Sequence, residues 1–393
     1  MKNRGKYTLG KIYAWIAYVL YHVLPLKNRT VKSAHERVLI VRLDAIGDLV
    51  MMSPSLRELR RAKPRADITL VVTPMTVGLF SSCPYVDRVL AYQPPKSRIG
   101  RLFRPFYAWR YCRHNICNGF DIAIVPRVSS DWGYGAGYLA FFSGATRRIG
   151  YSSGVDEEKK CLDAGFDRFY TELLPAPRHL HEVERNLNVL RYMGIEVKDN
   201  RLEFWISPDD EAFILRQWER KKDVFRIALF LSTSTDRKEW DVKFYAETLK
   251  RLEENHRVEV FLLGAGKHAA DLACEMLRRY PQAIDLTDRL TLRQTGAFLR
   301  TSSLYLGGDT GPMHIADACH IPSVILFCHP EGADKTHVSS PERFGPWENK
   351  VIILRPKAFP GCEHGCEKDY AHCINNISVD EVVEAVETML RKT

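Results

Sequence analysis

The stretch Gly307-Gly308-Asp309-Thr310-Gly311-Pro312-Met313-His314-Ile315-Ala316 stands between an apolar run, residues 303–306, and a segment typical of a helix, residues 313–318. We expect a strand before it and a helix after it, because Pro312 suits a first helical turn, where a backbone N–H has no partner. Glycines let the backbone approach a ligand, and the free N–H groups of a helix start favour an anion. The stretch therefore predicts a strand–turn–helix unit with an anion site at the turn.

Two side chains add chemistry to this turn. Asp309 places a carboxylate beside the amides, and His314 places a titratable donor one helical turn later. A sugar diphosphate would suit such a turn, with the amides and His314 on the phosphates and Asp309 on hydroxyls. The alternative is a structural turn, in which Asp309 caps the helix and His314 packs on it; glycine-rich turns after strands are common.

Composition limits the classes of partner. The chain has 393 residues, 45% of them hydrophobic, and a net charge of +9. This is the composition of a globular protein of two domains with anionic partners, such as a phosphorylated substrate or an anionic lipid surface. No interleaved arginine and aromatic motif or zinc-finger spacing is present, so we expect no nucleic acid partner. The ten cysteines are scattered, which favours a reducing cytoplasm over a disulfide framework.

The first 36 residues differ from the rest. An uncharged run, residues 12–26, lies between basic residues, and its larger apolar side chains recur at helical spacing: Ile12, Trp15, Ile16, Val19, Leu20, Val23 and Leu24. The run is short for a transmembrane helix, and no small-residue cleavage site follows it. We predict an amphipathic helix lying in the headgroup layer of an anionic membrane. The alternative is a helix packed on the protein's own body.

Apolar strand-like runs alternate with helical patterns along the remaining chain. The pattern starts at residues 37–42, restarts near residue 226, and closes with a helical segment. Such alternation indicates doubly wound parallel sheets. We predict an α/β fold with Rossmann-like domains at residues 37–205 and 206–377, facing each other across a cleft, after an N-terminal segment, residues 1–36, and before a C-terminal helix, residues 378–393, that returns to the first domain.

Two carboxylates, Asp44 and Asp48, follow the first strand. If Asp48 opens the next helix at the mouth of the cleft, it can take a proton from an incoming hydroxyl. Its position equally permits a helix cap. No phosphate loop ending in lysine follows this strand, which argues against a nucleoside triphosphatase.

The corresponding strand of the second half runs into Ser232-Thr233-Ser234-Thr235-Asp236-Arg237-Lys238-Glu239-Trp240. Small hydroxyls followed by a lysine are the residue types that hold a diphosphate by hydrogen bonds and charge. A solvated surface lysine is the alternative for Lys238.

These three pieces, in this order and at these separations, resemble the heptosyltransferases, the ADP-heptose:lipopolysaccharide glycosyltransferases of glycosyltransferase family 9, which have the GT-B fold. The shared features are the first strand with Gly47-Asp48, the Ser/Thr run with Lys238, and the stretch from Gly308 to Ala316. The resemblance covers about residues 37 to 390. It implies an inverting, metal-independent transferase without a cofactor, in which ADP-heptose is the co-substrate.

The resemblance also implies residue roles. Asp48 matches the proposed general base that deprotonates the acceptor hydroxyl. The donor-binding positions are Thr233, Ser234, Lys238, Asp309, Thr310, Gly311 and His314. The first domain would then bind the acceptor and the second the nucleotide sugar.

Two departures from the family pattern bear on specificity. Gly266-Lys267-His268 stands where a glutamate often lies near the ribose, and residues 126–131 replace the usual sequence after the fourth strand. For the acceptor we expect Asp44, Arg127, Arg147 and Arg148, although arginines are also common on solvated surfaces. Cys362, Cys366 and Cys373 are candidates for a small metal site, but their spacing is unusual, and buried inert thiols are the favoured alternative.

We therefore predict transfer of a sugar, with heptose as the favoured candidate, to a phosphorylated glycolipid of the lipopolysaccharide or cell-surface type. The reaction is expected at the inner face of a bacterial cytoplasmic membrane. Two alternatives stay open. One is a sugar-nucleotide epimerase or hydrolase on the same fold, and the other is a non-catalytic membrane-associated binding protein.

Overall fold

The computed structural model describes residues 2–23, 34–95, 97, 100, 103–116, 119–131, 133, 135–177, 181–337, 339–347, 350–362 and 370–391, with side chains from residue 11 onward. The chain divides into two compact units. The first comprises Met1–Ala45, Met52–His179 and Val183–Asn200, and the second comprises Ile46–Met51, Leu180–Glu182 and Arg201–Thr393. The domain boundaries and the cleft expected from the sequence stay predictions.

The first unit is built on a parallel sheet of six strands in the order β3-β2-β1-β4-β5-β6. Its central strand is buried from Val38 to Val41, as expected for a strand with helices on both faces. The strands are β1 (Arg37–Val41), β2 (Asp67–Val72), β3 (Arg88–Ala91), β4 (Ile122–Val125), β5 (Arg147–Tyr151) and β6 (Glu172–Leu174).

The second unit repeats this topology with a parallel sheet in the order β12-β11-β10-β7-β8-β9. Both sheets have the doubly wound order, so each has a switch point, between β1 and β4 and between β7 and β10, where such folds bind ligands. The strands are β7 (Phe225–Phe230), β8 (Val258–Leu263), β9 (Ile284–Asp285), β10 (Leu304–Gly308), β11 (Ser323–Leu326) and β12 (Val351–Leu354).

Helices connect these strands. They are α1 (Lys2–Val23), α2 (Ile46–Val50), α3 (Ser53–Ala62), α4 (Arg104–Asn115), α5 (Ala136–Phe142), α6 (Glu157–Leu162), α7 (Glu182–Tyr192), α8 (Pro208–Gln217), α9 (Val242–Glu253), α10 (Lys267–Arg279), α11 (Leu292–Thr301), α12 (Gly311–Ala318), α13 (Pro341–Phe344) and α14 (Val379–Leu390). The described part of the chain contains no helix that combines the length and the apolar character needed to cross a bilayer.

The helical segment that contains Asp48 is divided into α2 and α3. Pro54 lies in the first turn of α3, where its missing N–H is tolerated. In one continuous helix the same proline would leave a carbonyl of the preceding turn without its partner. The break allows α2 to pack with the second unit while α3 covers the first sheet.

The N-terminal helix is present, and the face that packs on the protein is not the centre of the predicted apolar stripe. Tyr13, Ala14 and Ala17 are buried in the core of the first unit, whereas Ile12 and Trp15 of the stripe are 46% and 60% exposed. The side with alanines packs because small residues allow close approach: a Cβ on Gly165 would lie 3.1 Å from that of Ala14. One face of α1 therefore packs on the protein's own body, and the membrane-bound arrangement is not confirmed.

The C-terminal helix also differs from the expectation that it returns to the first domain. Val382, Val386 and Leu390 of α14 are buried in the core of the second unit, together with Leu249 of α9. The helix starts with a capping box in which Ser378 and Glu381 satisfy each other's backbone N–H groups. Its apolar face therefore completes the second unit.

Candidate active site

The short helix α2 packs against α12, the helix that follows the Gly307–Gly311 turn, and glycines permit this contact. A Cβ on Gly47 would lie 2.4 Å from Cδ2 of His314, and one on Gly311 would lie 3.1 Å from Cβ of Ile46. Carbon atoms that are not bonded to each other do not approach as closely as 2.4 Å, so the sequence needs glycine at position 47. Both helices belong to the second unit. The packing brings the segment that carries Asp48 to the start of α12.

Asp48 lies in the first turn of α2 and is half-buried. The residues on either side of it, Gly47 and Leu49, are buried and hold the helix on its neighbours. Asp48 therefore lies on a helix whose neighbouring positions are anchored, and the residue itself is partly exposed, as a residue that exchanges a proton with a substrate requires.

A lysine–carboxylate pair lies at the switch point of the second sheet. Nζ of Lys238 is 2.5 Å from Oδ2 of Asp309, and the two side chains are 14% and 9% exposed. Lys238 ends a 3₁₀ turn after β7, and Asp309 directly follows β10, the strand paired with β7. Gly308 lets these loops approach, since a Cβ there would lie 3.0 Å from Cγ2 of Thr233. The structure thus brings together the two loops that the sequence assigned to a diphosphate.

The remaining predicted donor residues line the same loops. The backbone N–H of Thr233 donates to Glu239, and its hydroxyl donates to the carbonyl of Thr235. Ser234 is exposed. Thr310 precedes α12 in an extended conformation, and its side chain makes no capping hydrogen bond. Pro312 has no N–H, and the N–H of Met313 donates to the carbonyl of Thr310 over 3.1 Å, so in the first turn of α12 the N–H of Gly311 is left for an acceptor from outside the helix.

His314 lies under these loops. It is 4% exposed, and its Nδ1 has no hydrogen-bond partner among the described residues. Burial, with smaller contributions from His181 and Lys238, lowers the pKa of His314 to about 3. The imidazole is therefore neutral at pH 7 and can offer a hydrogen bond but no positive charge.

The other carboxylate of the first loop has a different environment. Asp44, in the first unit, has a side chain that is 3% exposed and that forms ion pairs with Arg42 and Arg127. Arg42 also donates to the carbonyl of Pro126 and to Oδ1 of Asn186. Asp44 and Arg127 follow β1 and β4, so the structure brings these two predicted acceptor residues together at the first switch point.

Arg147 and Arg148 do not join this pair. They begin β5, whose first residue is in register with Ile122 at the start of β4, whereas Arg127 follows the end of β4. Arg147 forms a bidentate pair with Glu172, and Arg148 donates to the carbonyls of Phe169 and Ala145. Their contacts tie strand ends together at the edge of the sheet opposite the switch point.

Sequence reasoning missed a pair beside the candidate donor loops. Nε2 of His268 lies 2.9 Å from both carboxylate oxygens of Glu239, and Glu239 also accepts from the N–H of Thr233. His268 was noted only as a departure from the family pattern. Glu239 stands next to Lys238 in sequence, but no signal in the sequence joins it to a residue of α10.

A second missed feature is a buried network that supports Arg127. Asp163 accepts from the N–H of Asp131, Asp131 accepts from the N–H groups that start α5, and Lys159 donates to the carbonyl of Arg127. Burial raises the pKa of Asp163 to about 7, and it also raises the pKa of Asp131. The network fixes the loop that carries Arg127.

The predicted cysteines are described in part. Cys362 and Cys373 are buried, and neither forms a disulfide with another described cysteine. Cys366 lies outside the described residues.

Comparison with known proteins also indicates a heptosyltransferase-like protein. The family described as glycosyltransferase family 9 (heptosyltransferase) matches residues 115–370. The lipooligosaccharide heptosyltransferase 2 of Campylobacter jejuni is 22% identical over 57% of this chain, and the chain spans 66% of that relative's length. The lipopolysaccharide heptosyltransferase 1 of Campylobacter coli is 21% identical over 90% of this chain and 98% of the relative.

A solved structure shows the same fold. Escherichia coli heptosyltransferase WaaC with ADP-2-deoxy-2-fluoro heptose gives a TM-score of 0.64 at 17% identity, covering 90% of this chain and 99% of that chain. The predicted α/β class and GT-B fold are thereby confirmed.

Proposed function

The chain belongs to glycosyltransferase family 9, the heptosyltransferase family, and on that premise we propose that it transfers a sugar from a nucleoside diphosphate to a glycolipid. ADP-heptose is the proposed donor. The support for this donor is twofold. The relatives are heptosyltransferases, one of them solved with an ADP-heptose analogue, and the second unit gathers the groups that a diphosphate requires.

Lys238 is the proposed cationic contact of the leaving diphosphate. It is paired with Asp309 over 2.5 Å, so its position is fixed before the donor arrives. The N–H of Gly311 at the start of α12 and the neutral imidazole of His314 supply hydrogen bonds to the same oxygens. Such donors stabilise charge most effectively where water is excluded, and both Asp309 and His314 are buried.

Asp48 is the proposed general base of a single inverting displacement. Its carboxylate takes the proton of the acceptor hydroxyl while that oxygen forms a bond to the anomeric carbon. The bond from this carbon to the diphosphate oxygen breaks, and its electron pair leaves with the nucleoside diphosphate. No metal ion takes part in this scheme. The observation that supports the proposal is the packing of α2, the helix of Asp48, on α12, the helix of His314.

The proposed acceptor is a phosphorylated glycolipid of the lipopolysaccharide type in an anionic membrane surface. Arg127, held by Asp44, is the proposed phosphate contact in the first unit. Helices α1 and α4 pack against each other, and each exposes large apolar side chains, Trp15 at 60% and Tyr107 at 48%. Exposed aromatic residues on a chain of net charge +9 suit the inner face of a cytoplasmic membrane.

The test is product analysis with the full chain, ADP-heptose and a heptose-deficient lipopolysaccharide. We expect ADP release and a gain of one heptose in the acceptor mass, both dependent on the two substrates. D48N is expected to reduce turnover by about 10²- to 10⁴-fold while ADP still raises the melting temperature. D271N, at an exposed carboxylate of α10, is the control. Full activity of D48N, or ADP release at the same rate without acceptor, would contradict the proposal.

A further inference from the structure

Three side chains of metal-ligand type meet beyond β12, apart from the donor and acceptor residues. Ligand atoms of Cys362, His372 and Cys373 all lie within 4.8 Å of one another. The two thiols are 6% and 1% exposed. Nδ1 of His372 lies 3.2 Å from Sγ of Cys373, and the imidazole packs against the ring of Phe359 at 4.7 Å.

Apolar packing alone does not account for this cluster. The two cysteines pack with each other as a small group separate from the main core of the unit, to which Ile374 and Ile377 belong. An ordinary apolar pair would not need an imidazole nitrogen beside it. Thiolate and imidazole are the ligands that Zn²⁺ and Fe²⁺ take in proteins, with metal–sulfur distances of about 2.3 Å for Zn²⁺.

We propose that Cys362, His372 and Cys373 bind a structural divalent metal ion of the Zn²⁺ type. Binding releases the proton of each thiol, and the two thiolates then neutralise the charge of the ion, so the buried site carries no net charge. A tetrahedral ion has one further position.

The expected role is to fix the turn that supports the loop of Lys238. Cys373 begins the 3₁₀ turn Cys373–Asn376. The indole of Trp240 donates to the carbonyl of Ile377 over 3.1 Å, and the N–H of Asp241 donates to the side chain of Asn375 over 3.1 Å. No residue assigned above to the donor or to proton transfer is a ligand. Metal binding can therefore be tested separately from the proposed transfer reaction.

The experiment uses the full chain, reduced, stripped of metal with a chelator and titrated with Co²⁺. We expect a thiolate-to-Co²⁺ charge-transfer band and tetrahedral d–d bands that saturate at about one ion per chain, and Zn²⁺ should displace the Co²⁺. C362S and C373S should each weaken Co²⁺ binding by about 100-fold or more. C274S, at an exposed cysteine of α10, should bind as the wild type does.

The outcomes distinguish a metal site from a redox-active pair of cysteines. Absence of the charge-transfer band in the reduced wild type would overturn the proposal without recourse to any variant. So would loss of the band in C274S, or its persistence in both C362S and C373S. A disulfide between Cys362 and Cys373 in the isolated protein, with no Co²⁺ bound after reduction, would identify a redox pair instead.

Discussion

Protonation of His314 should control the acid stability of the second unit. Its pKa is lowered from 6.5 to about 3 by burial. Between these pH values the unfolded chain binds a proton that the folded protein does not, so the free energy of unfolding rises with pH. The full contribution is present above pH 6.5 and is lost as the pH falls towards 3. The slope is about 1.4 kcal/mol per pH unit, and the total is about 5 kcal/mol at most.

The measurement is urea unfolding of the wild type and of H314N between pH 4 and 7. A comparison of the two proteins is needed because Asp163, whose pKa is raised from 3.8 to about 7, acts in the opposite sense over the same range. The stability difference should rise with pH by about 1.4 kcal/mol per unit below pH 6 and level off above it. Any constant effect of the asparagine cancels in the slope.

Parallel stability curves for the two proteins would refute this reasoning. His314 would then take up its proton in the folded state at the ordinary pKa, and it could supply positive charge to a diphosphate at mildly acidic pH. If the imidazole is neutral, as described above, the positive charge at the candidate donor site is proposed to come from Lys238. The two possible outcomes therefore differ in which residues supply positive charge to the leaving diphosphate.

Three further predictions concern single residues. K238M should weaken ADP binding, measured by calorimetry, by about 1.5–3 kcal/mol, while the control K243M should bind ADP as the wild type does. Equal affinities of K238M and the wild type would contradict a role of Lys238 in donor binding. G47A places a Cβ 2.4 Å from an imidazole carbon of His314 and should lower the free energy of unfolding by about 1–3 kcal/mol. The control G78A, whose Cβ would have no atom within 4 Å, should leave this free energy unchanged. Equal stabilities of G47A and the wild type would show that α2 and α12 separate freely. W15E should reduce binding to vesicles of anionic lipid by about fivefold or more, with neutral vesicles as reference, and unchanged binding would mean that α1 does not contact lipid.

The fold was predictable from the sequence because its signals are local. A continuous apolar run such as that of β1 can be buried on both faces only in a helix-covered sheet, and the glycine turn after β10 requires a strand and a helix on its two sides. The pairing of β7 with β10 then brings Lys238 to Asp309. Two loops that each looked suited to phosphate were thus placed at one switch point by topology alone.

The rest depended on partners distant in the sequence. Arg147 is paired with Glu172, and the loop of Arg127 rests on Lys159; these pairs are 25 and 32 residues apart. Hydrophobic periodicity did not identify the face of α1 that packs on the protein, because it weights large side chains, whereas close packing there uses Ala14 against Gly165. Residue type could suggest an arginine for phosphate, but only the fold shows which guanidinium groups are already engaged.

The two carboxylates after β1 show how the fold distinguishes residues that the sequence left equal. Asp44 is almost fully buried, and two guanidinium groups engage its oxygens, so an acceptor hydroxyl has little access to a lone pair. Asp48 is half-buried on a helix held by Gly47 against His314. A base must be both fixed and reachable. The first carboxylate is fixed but enclosed, whereas Asp48 is partly exposed on an anchored helix, and on this ground we propose Asp48 for the proton transfer and Asp44 for the orientation of Arg127.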